Sequence, residues 1–444
     1  MIDLLIRNAD VVTAAGVVRA DLSIDGGSIA AIGAAGGAAR GEIDAAGCVV
    51  YPGLIDPHVH FNEPGRAHWE GIATGSSALV AGGGTAFFDM PLNSRPALLK
   101  AMDFDAKAAA MATKSFADYA LWGGLTPDNL DHLEALADCG VIGFKAFMSG
   151  SGIDDFKRAD EATLRAGMKV AAARGSVVAV HAEDESMTRR LAATARDEGR
   201  RGWRDYIATR PIEAEVKAIE AACGVALETR CKLHIVHVSS PAGVTRIRRA
   251  KAAGVDVTCE TCPHYLLLTE DDLIARGASV KCAPPVRPEA EAERLWQCVR
   301  DGRIDFLASD HSPAPPEMKT ADDAFAVWGG IAGVQSTLAA ALTCKPALVL
   351  EQVAALCAAN VAGRFGLLKK GRLEIGYDAD LVIVDPRRSF VLAAHDLHDR
   401  YQLSPYVGRR FDQTIVRTIL RGVTVFEGGQ VIGPPRGRPL GRET

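Results

Sequence analysis

Short apolar clusters split by Gly, Asn and Asp open the chain: "DLLIRNADVV", "ADLSIDGGSIAAIG" and "EIDAAGCVV". That pattern predicts short β-strands joined by turns. A second tract of the same texture closes the chain, with "GRLEIGYDADLVIVDP" and "TIVRTILRGVTVFEGGQVIG". Domain termini often lie close together, so the two ends are expected to pair into one small sheet domain, residues 1–50 with 367–444.

The middle, residues 51–366, reads differently. Eight apolar runs stand out as strand candidates: "VVYPGLIDPHVH", "GTAFFDM", "DYALWGG", "VIGFKAFM", "VVAVHAE", "KLHIVHV", "DVTCETC" and "IDFLASD". Between them lie stretches such as "DEATLRAGMKVAAARG" and "AGVTRIRRAKAAG", with helical apolar spacing and a closing Gly. Strict alternation of strand and helix predicts a parallel sheet. Eight repeats favour a closed (β/α)8 barrel of the TIM type over an open doubly wound sheet. The open sheet is the weaker alternative, because no glycine-rich phosphate loop follows the first strand; "SGSG" at 149–152 reads as a plain loop. Two connections are long, 184–211 and 263–303, and long connections in compact domains often serve as lids or binding loops.

Composition narrows the function classes. The chain has 444 residues, 48% hydrophobic and 24% charged, as in ordinary soluble globular proteins. A net charge of -5 supports neither nucleic-acid nor anionic-membrane binding. The start, "MIDLLIRNADVV", lacks a secretory pattern, and no apolar run reaches the ~20 residues that span a bilayer. A cytoplasmic protein is expected, with its ten cysteines as free thiols. The pair Cys259 and Cys262 has no second ligand pair at zinc-site spacing, and reads as the end of a core strand.

Chemistry concentrates at strand ends, where such barrels keep their active sites. His58 and His60 stand two apart, so both imidazoles point to one side and can grip one metal ion. Alone the pair is a weak signal, but His181, His237 and Asp310 also fall at strand ends. His264 and His311 follow strand ends as well, as supporting or mouth-lining residues. His68, His132, His234, His395 and His398 do not fit the pattern and read as ordinary polar residues.

Lys145 lies in "GFKAFM", mid-repeat, where a barrel offers no edge for the ammonium to escape. A buried neutral lysine can take up carbon dioxide as a carbamate, which turns a cation into a carboxylate able to bridge two metals. The set then becomes His58, His60 and Asp310 for one ion and His181 and His237 for the other, with N6-carboxylated Lys145 shared. Such N and O ligands suit zinc.

"GLIDPHVH", "FKAFM", "HAE", "HVSS", "ETCPHYL" and "SDHSP" resemble the cyclic-amidohydrolase branch of the amidohydrolase superfamily, which includes dihydroorotases, hydantoinases and allantoinases. The resemblance covers nearly the whole chain and implies a barrel with a second, β-sandwich domain. It also implies a binuclear metal centre on the same six residues and a homotetramer. The finer loop motifs "NEPGRAHWEG", "DMPLNS", "KCAPPVR", "DHSPAPPEMK", "WGGIAGVQ" and "LSPYVGR" are similar to those of allantoinases, implying hydrolysis of allantoin to allantoate. Asn62 stands where dihydroorotases carry an arginine for the substrate carboxylate, which fits an uncharged ring; Arg66 follows four residues on.

By the same likeness, Asn62, Asn93 and backbone groups near Ala283, Gly329 and Gly330 would meet this small cyclic amide. Asp310 would take a proton from the attacking hydroxide and pass it to the leaving nitrogen. Zinc, cobalt, manganese or iron would serve as the two divalent ions. The chain departs from the allantoinase pattern at His68, at "SRPALLKAMDF" and at Ala314. A hydantoinase (dihydropyrimidinase) or a dihydroorotase-like enzyme is the alternative within the chemistry. A scaffold that has lost catalysis is the alternative outside it.

Overall fold

The computed structural model describes residues 2–33 and 38–441. Eight parallel strands follow one another round the middle of the chain: β1 (Leu54–Val59), β2 (Gly84–Asp89), β3 (Asp118–Gly124), β4 (Gly143–Phe147), β5 (Val177–His181), β6 (Lys232–Ile235), β7 (Val257–Thr261) and β8 (Phe306–Leu307). Each pairs with its neighbours in sequence order, and a parallel bridge from Val59 to His311 brings the last strand back to the first. The strands are buried almost throughout, because helices cover their outer faces. Those helices begin where side chains satisfy their free N–H groups. Asp160 accepts from the Thr163 amide ahead of Glu161–Ala173, and Ser240 accepts from the Gly243 amide ahead of Pro241–Ala252.

The bottom of the barrel is plugged. The helix Asn360–Phe365 inserts Phe365, whose ring lies 5.0 Å from that of Phe88 and 5.4 Å from that of Trp122. Phe306 of β8 and His234 of β6 close round the same ring, each 6.3 Å away. The polar site therefore lies at the opposite, C-terminal end of the strands.

The two ends of the chain meet as the sequence implies. A nine-stranded mixed sheet joins strands from 2–52 to strands from 381–431. Its centre is Ile2–Thr13, which pairs antiparallel with Gly16–Asp25 and parallel with Val49–Pro52. Leu381–Asp385 then lies antiparallel to Val49–Pro52. Ile6, Val11, Leu22, Ile24, Val50, Leu381 and Ile419 form a core there, separate from that of the barrel.

One run divides where the sequence reads it as continuous. Val49–Pro52 belongs to the terminal sheet and Leu54–Val59 to the barrel, with Gly53 between them. A Cβ at Gly53 would meet the Thr85 side chain at 2.3 Å, so only glycine lets the chain pass so close to β2. Lys370 ties the two parts together, its ammonium 2.7 Å from carboxylate oxygens of both Asp118 at the start of β3 and Asp380 beside the terminal sheet.

Candidate metal centre and active site

The strand ends bring the singled-out residues to one place. His58 Nε2 lies 3.2 Å and His60 Nε2 3.4 Å from the same Asp310 oxygen. One ligand-capable atom from each of the three falls within 4.8 Å of the others. Across the site, His181 Nδ1 is 3.0 Å from His237 Nε2. The His237 ring stands 5.4 Å from that of His58, and Phe147 stacks on His181 at 4.6 Å. Burial, reinforced by neighbouring positive groups such as Lys145, holds His58 and His237 well below the usual imidazole range. Neutral imidazoles are the form that binds metal.

Lys145 is wholly buried on β4, and its Nζ makes no hydrogen bond among the described residues. Burial pushes its ammonium down to about 8, against the pull of Glu260 and Asp310. Four imidazoles and a carboxylate, all groups able to hold metal, thus gather in the cluster beside an amine that has no acid paired to it. Their chemistry fits two divalent ions and a bridging carboxylate formed on that amine.

Carboxylates behind these histidines hold their rings. Glu260 of β7 places one oxygen 2.5 Å from His58 Nδ1 and the other 3.0 Å from His234 Nε2. His234 Nδ1 in turn meets the Thr258 hydroxyl at 2.9 Å. His234 is therefore a fully buried strut, not the ordinary polar residue its position suggests. Glu183 lies 2.8 Å from His181 Nε2 and pairs with Arg210. Burial would raise the Glu183 carboxyl, but Arg210 and His181 hold it at about 2. Glu260 was detectable as a charged residue inside the apolar run "DVTCETC", the same signal that marks Lys145. Its partner His234, unlike His58, does not stand at the end of its apolar run.

A cavity of about 510 Å³ opens over this cluster. Asn93, Ala283, Gly329 and Gly330 line it, together with His58, His60, His181, His237 and Asp310. Both long connections contribute walls: Arg189, Tyr206 and Arg210 from the first, Lys281 and Cys282 from the second. The loop at 150–152 adds a rim.

Asn62 lies elsewhere. It is fully buried, outside the cavity lining, and its side-chain amide has no hydrogen-bond partner among the described residues. Arg66 turns away, donating to the Asn93 carbonyl at 3.2 Å and to Asp155 at 3.3 Å. His311 accepts from the Gly333 amide at 3.1 Å and fastens a loop, while His264 is buried against Tyr265. Asn62, Asn93, His237 and Asp310 all adopt positive φ, 63°, 67°, 38° and 46°, a conformation that packing must hold in place.

Residues 49–425 match the model of the amidohydrolase family. The chain belongs to that family. An allantoinase from Solibacter usitatus is 52% identical over 98% of this chain and 97% of its own. An allantoinase from Deinococcus radiodurans is 51% identical over 99% and 98%. Among solved structures, the L-hydantoinase (dihydropyrimidinase) from Arthrobacter aurescens superposes with a TM-score of 0.97 at 33% identity, each chain covered in full. This amidohydrolase thus has the barrel and β-sandwich architecture that the resemblance implied. The family is metal-dependent, and the cluster of His58, His60 and Asp310 fits a divalent ion. No described helix of the amidohydrolase is long and apolar enough to cross a membrane.

Proposed function

We propose that this amidohydrolase hydrolyses a cyclic amide, opening allantoin to allantoate. The observation that carries the reading is the convergence of four histidines, Asp310 and unpaired Lys145 under one cavity. Full-length similarity to allantoinases supports the choice of ring. Hydantoin and dihydropyrimidine rings are the second reading, favoured by the close superposition on a hydantoinase. The higher identity to allantoinases ranks it behind.

His58, His60 and Asp310 would hold one divalent ion, and His181 with His237 the other. Lys145 would be shared as its N6-carboxylate. Zinc suits these donors, and cobalt, manganese or iron can replace it. When bound, the ions supply a hydroxide near neutral pH and polarise the ring carbonyl.

The protein's own groups do the rest. Glu260 and Glu183 hold the His58 and His181 rings so that the opposite nitrogens face inward. Asp310 reaches the cavity beside both His58 and His60, so its carboxylate can take the nucleophile's proton and return it to the leaving nitrogen. Asn93 and the backbone at Ala283, Gly329 and Gly330 line the same cavity and would fix the ring. We place the enzyme in the cytoplasm as a homotetramer. Formation of allantoate from allantoin by metal-loaded protein tests the reading; inertness toward allantoin with both ions bound refutes it.

A further inference from the structure

Loop 325–330 forms one wall of the cavity without regular secondary structure, so its carbonyls need partners from outside it. Lysines supply them. Lys319, which does not line the cavity, donates to the carbonyls of Trp328 at 2.9 Å, Gly330 at 2.7 Å and Ala278 at 3.3 Å. Lys281 donates to Val327 and, at 3.5 Å, to Phe325. No carboxylate among the described residues pairs with Lys319, and an ammonium has three donors, so three carbonyls saturate it. Ala278 lies in the 263–303 connection, so one ammonium ties together two segments that wall the cavity.

The consequence for Gly329 is specific. Its two neighbours are anchored on both sides: the Trp328 amide donates to Met318 and the Gly330 amide to the Lys281 carbonyl, at 2.9 and 2.7 Å. Both peptide bonds flanking Gly329 are trans, so N–H and C=O in each plane point in opposite directions. With the Trp328 carbonyl held by Lys319, the Gly329 N–H points away from that lysine. With the Gly330 amide held by the Lys281 carbonyl, the Gly329 carbonyl points away from it. Gly329 makes no hydrogen bond of its own among the described residues, and it lines the cavity. The register is rigid, because a Cβ on Gly330 would meet the Ser312 carbonyl at 2.1 Å.

We propose that Lys319 is a positioning residue that fixes the Gly329 N–H and C=O as a donor–acceptor edge for the amide of the substrate ring. A ring amide offers the complementary acceptor and donor side by side. The inference rests on the ring-amide reading of the site. Lys319 acts through the loop and touches no substrate, so its removal loosens ground-state and transition-state binding alike.

The test uses the full-length, metal-loaded enzyme. Lys319→Met keeps the aliphatic stem and removes all three donors; Lys319→Gln keeps two, and carries the test if the first variant does not fold. Amide hydrogen exchange over 326–331 is read alongside kcat and KM for allantoin. The expected result is exchange about tenfold faster and KM raised about tenfold, with kcat within about threefold, and a smaller change for Lys319→Gln. Exchange unchanged from wild type overturns the proposal, as does faster exchange with KM unmoved. If wild type leaves allantoin intact, the ring reading fails separately, and the exchange measurement still decides whether Lys319 fixes this edge.

Discussion

Lys145 gives the most quantitative prediction. A carbamate forms only on the neutral amine. Burial brings the Lys145 ammonium down from 10.5 to about 8. At pH 7.5, about a quarter of these amines are neutral, against about one in a thousand for an exposed lysine, a gain of about 200-fold. Metal-free protein mixed with zinc should therefore regain activity faster when bicarbonate is added. At a fixed concentration of dissolved carbon dioxide the rate should rise with pH and level off about one unit above 8, because the neutral fraction of the amine saturates there. Carbon-13 bicarbonate should give one carbamate signal, absent in Lys145→Ala, which should also fail to regain activity. Reconstitution that ignores bicarbonate and stays flat from pH 6.5 to 9 would refute the reasoning. So would a label that survives Lys145→Ala.

Three other outcomes follow from the geometry. Glu260→Gln keeps the shape but leaves one oxygen where two hold His58 and His234, and should weaken metal retention about 10- to 100-fold in chelator competition. Wild-type retention would contradict its orienting role. Asp310→Ala should lower kcat by about 10²–10⁴-fold while leaving KM within a few fold, if metal content is kept near normal by excess ion. Near-normal turnover with both ions bound would remove Asp310 from proton transfer. Phe365→Ala empties the barrel plug and should cost about 3–5 kcal/mol in denaturant unfolding, a loss below about 1 kcal/mol arguing that the bottom repacks.

The strand–helix alternation was legible because a barrel strand buried on both faces leaves an unbroken apolar run. The same property hid the break at Gly53, since a strand of the terminal sheet and a strand of the barrel are equally apolar there. The site was legible where a polar residue interrupts such a run at its C-terminal end, as at His181, His237 and Asp310. His234 escaped because it precedes the strand end, and only the pairing of its strand with the next brings it against Glu260. Arg210 and Lys319 escaped for a related reason. Each is an unremarkable cation in a charged stretch, and its meaning lies in partners far along the chain, Glu183 for one and the carbonyls of 278, 328 and 330 for the other.

Side-by-side turnover tests the central claim most directly. The protein would be loaded with zinc, cobalt or manganese in bicarbonate buffer and offered allantoin, hydantoin, dihydrouracil and dihydroorotate at equal concentration. The account predicts ring opening of allantoin to allantoate well above the other three, lost on chelation and restored by metal. Turnover of another ring with allantoin untouched, both ions being bound, would contradict it.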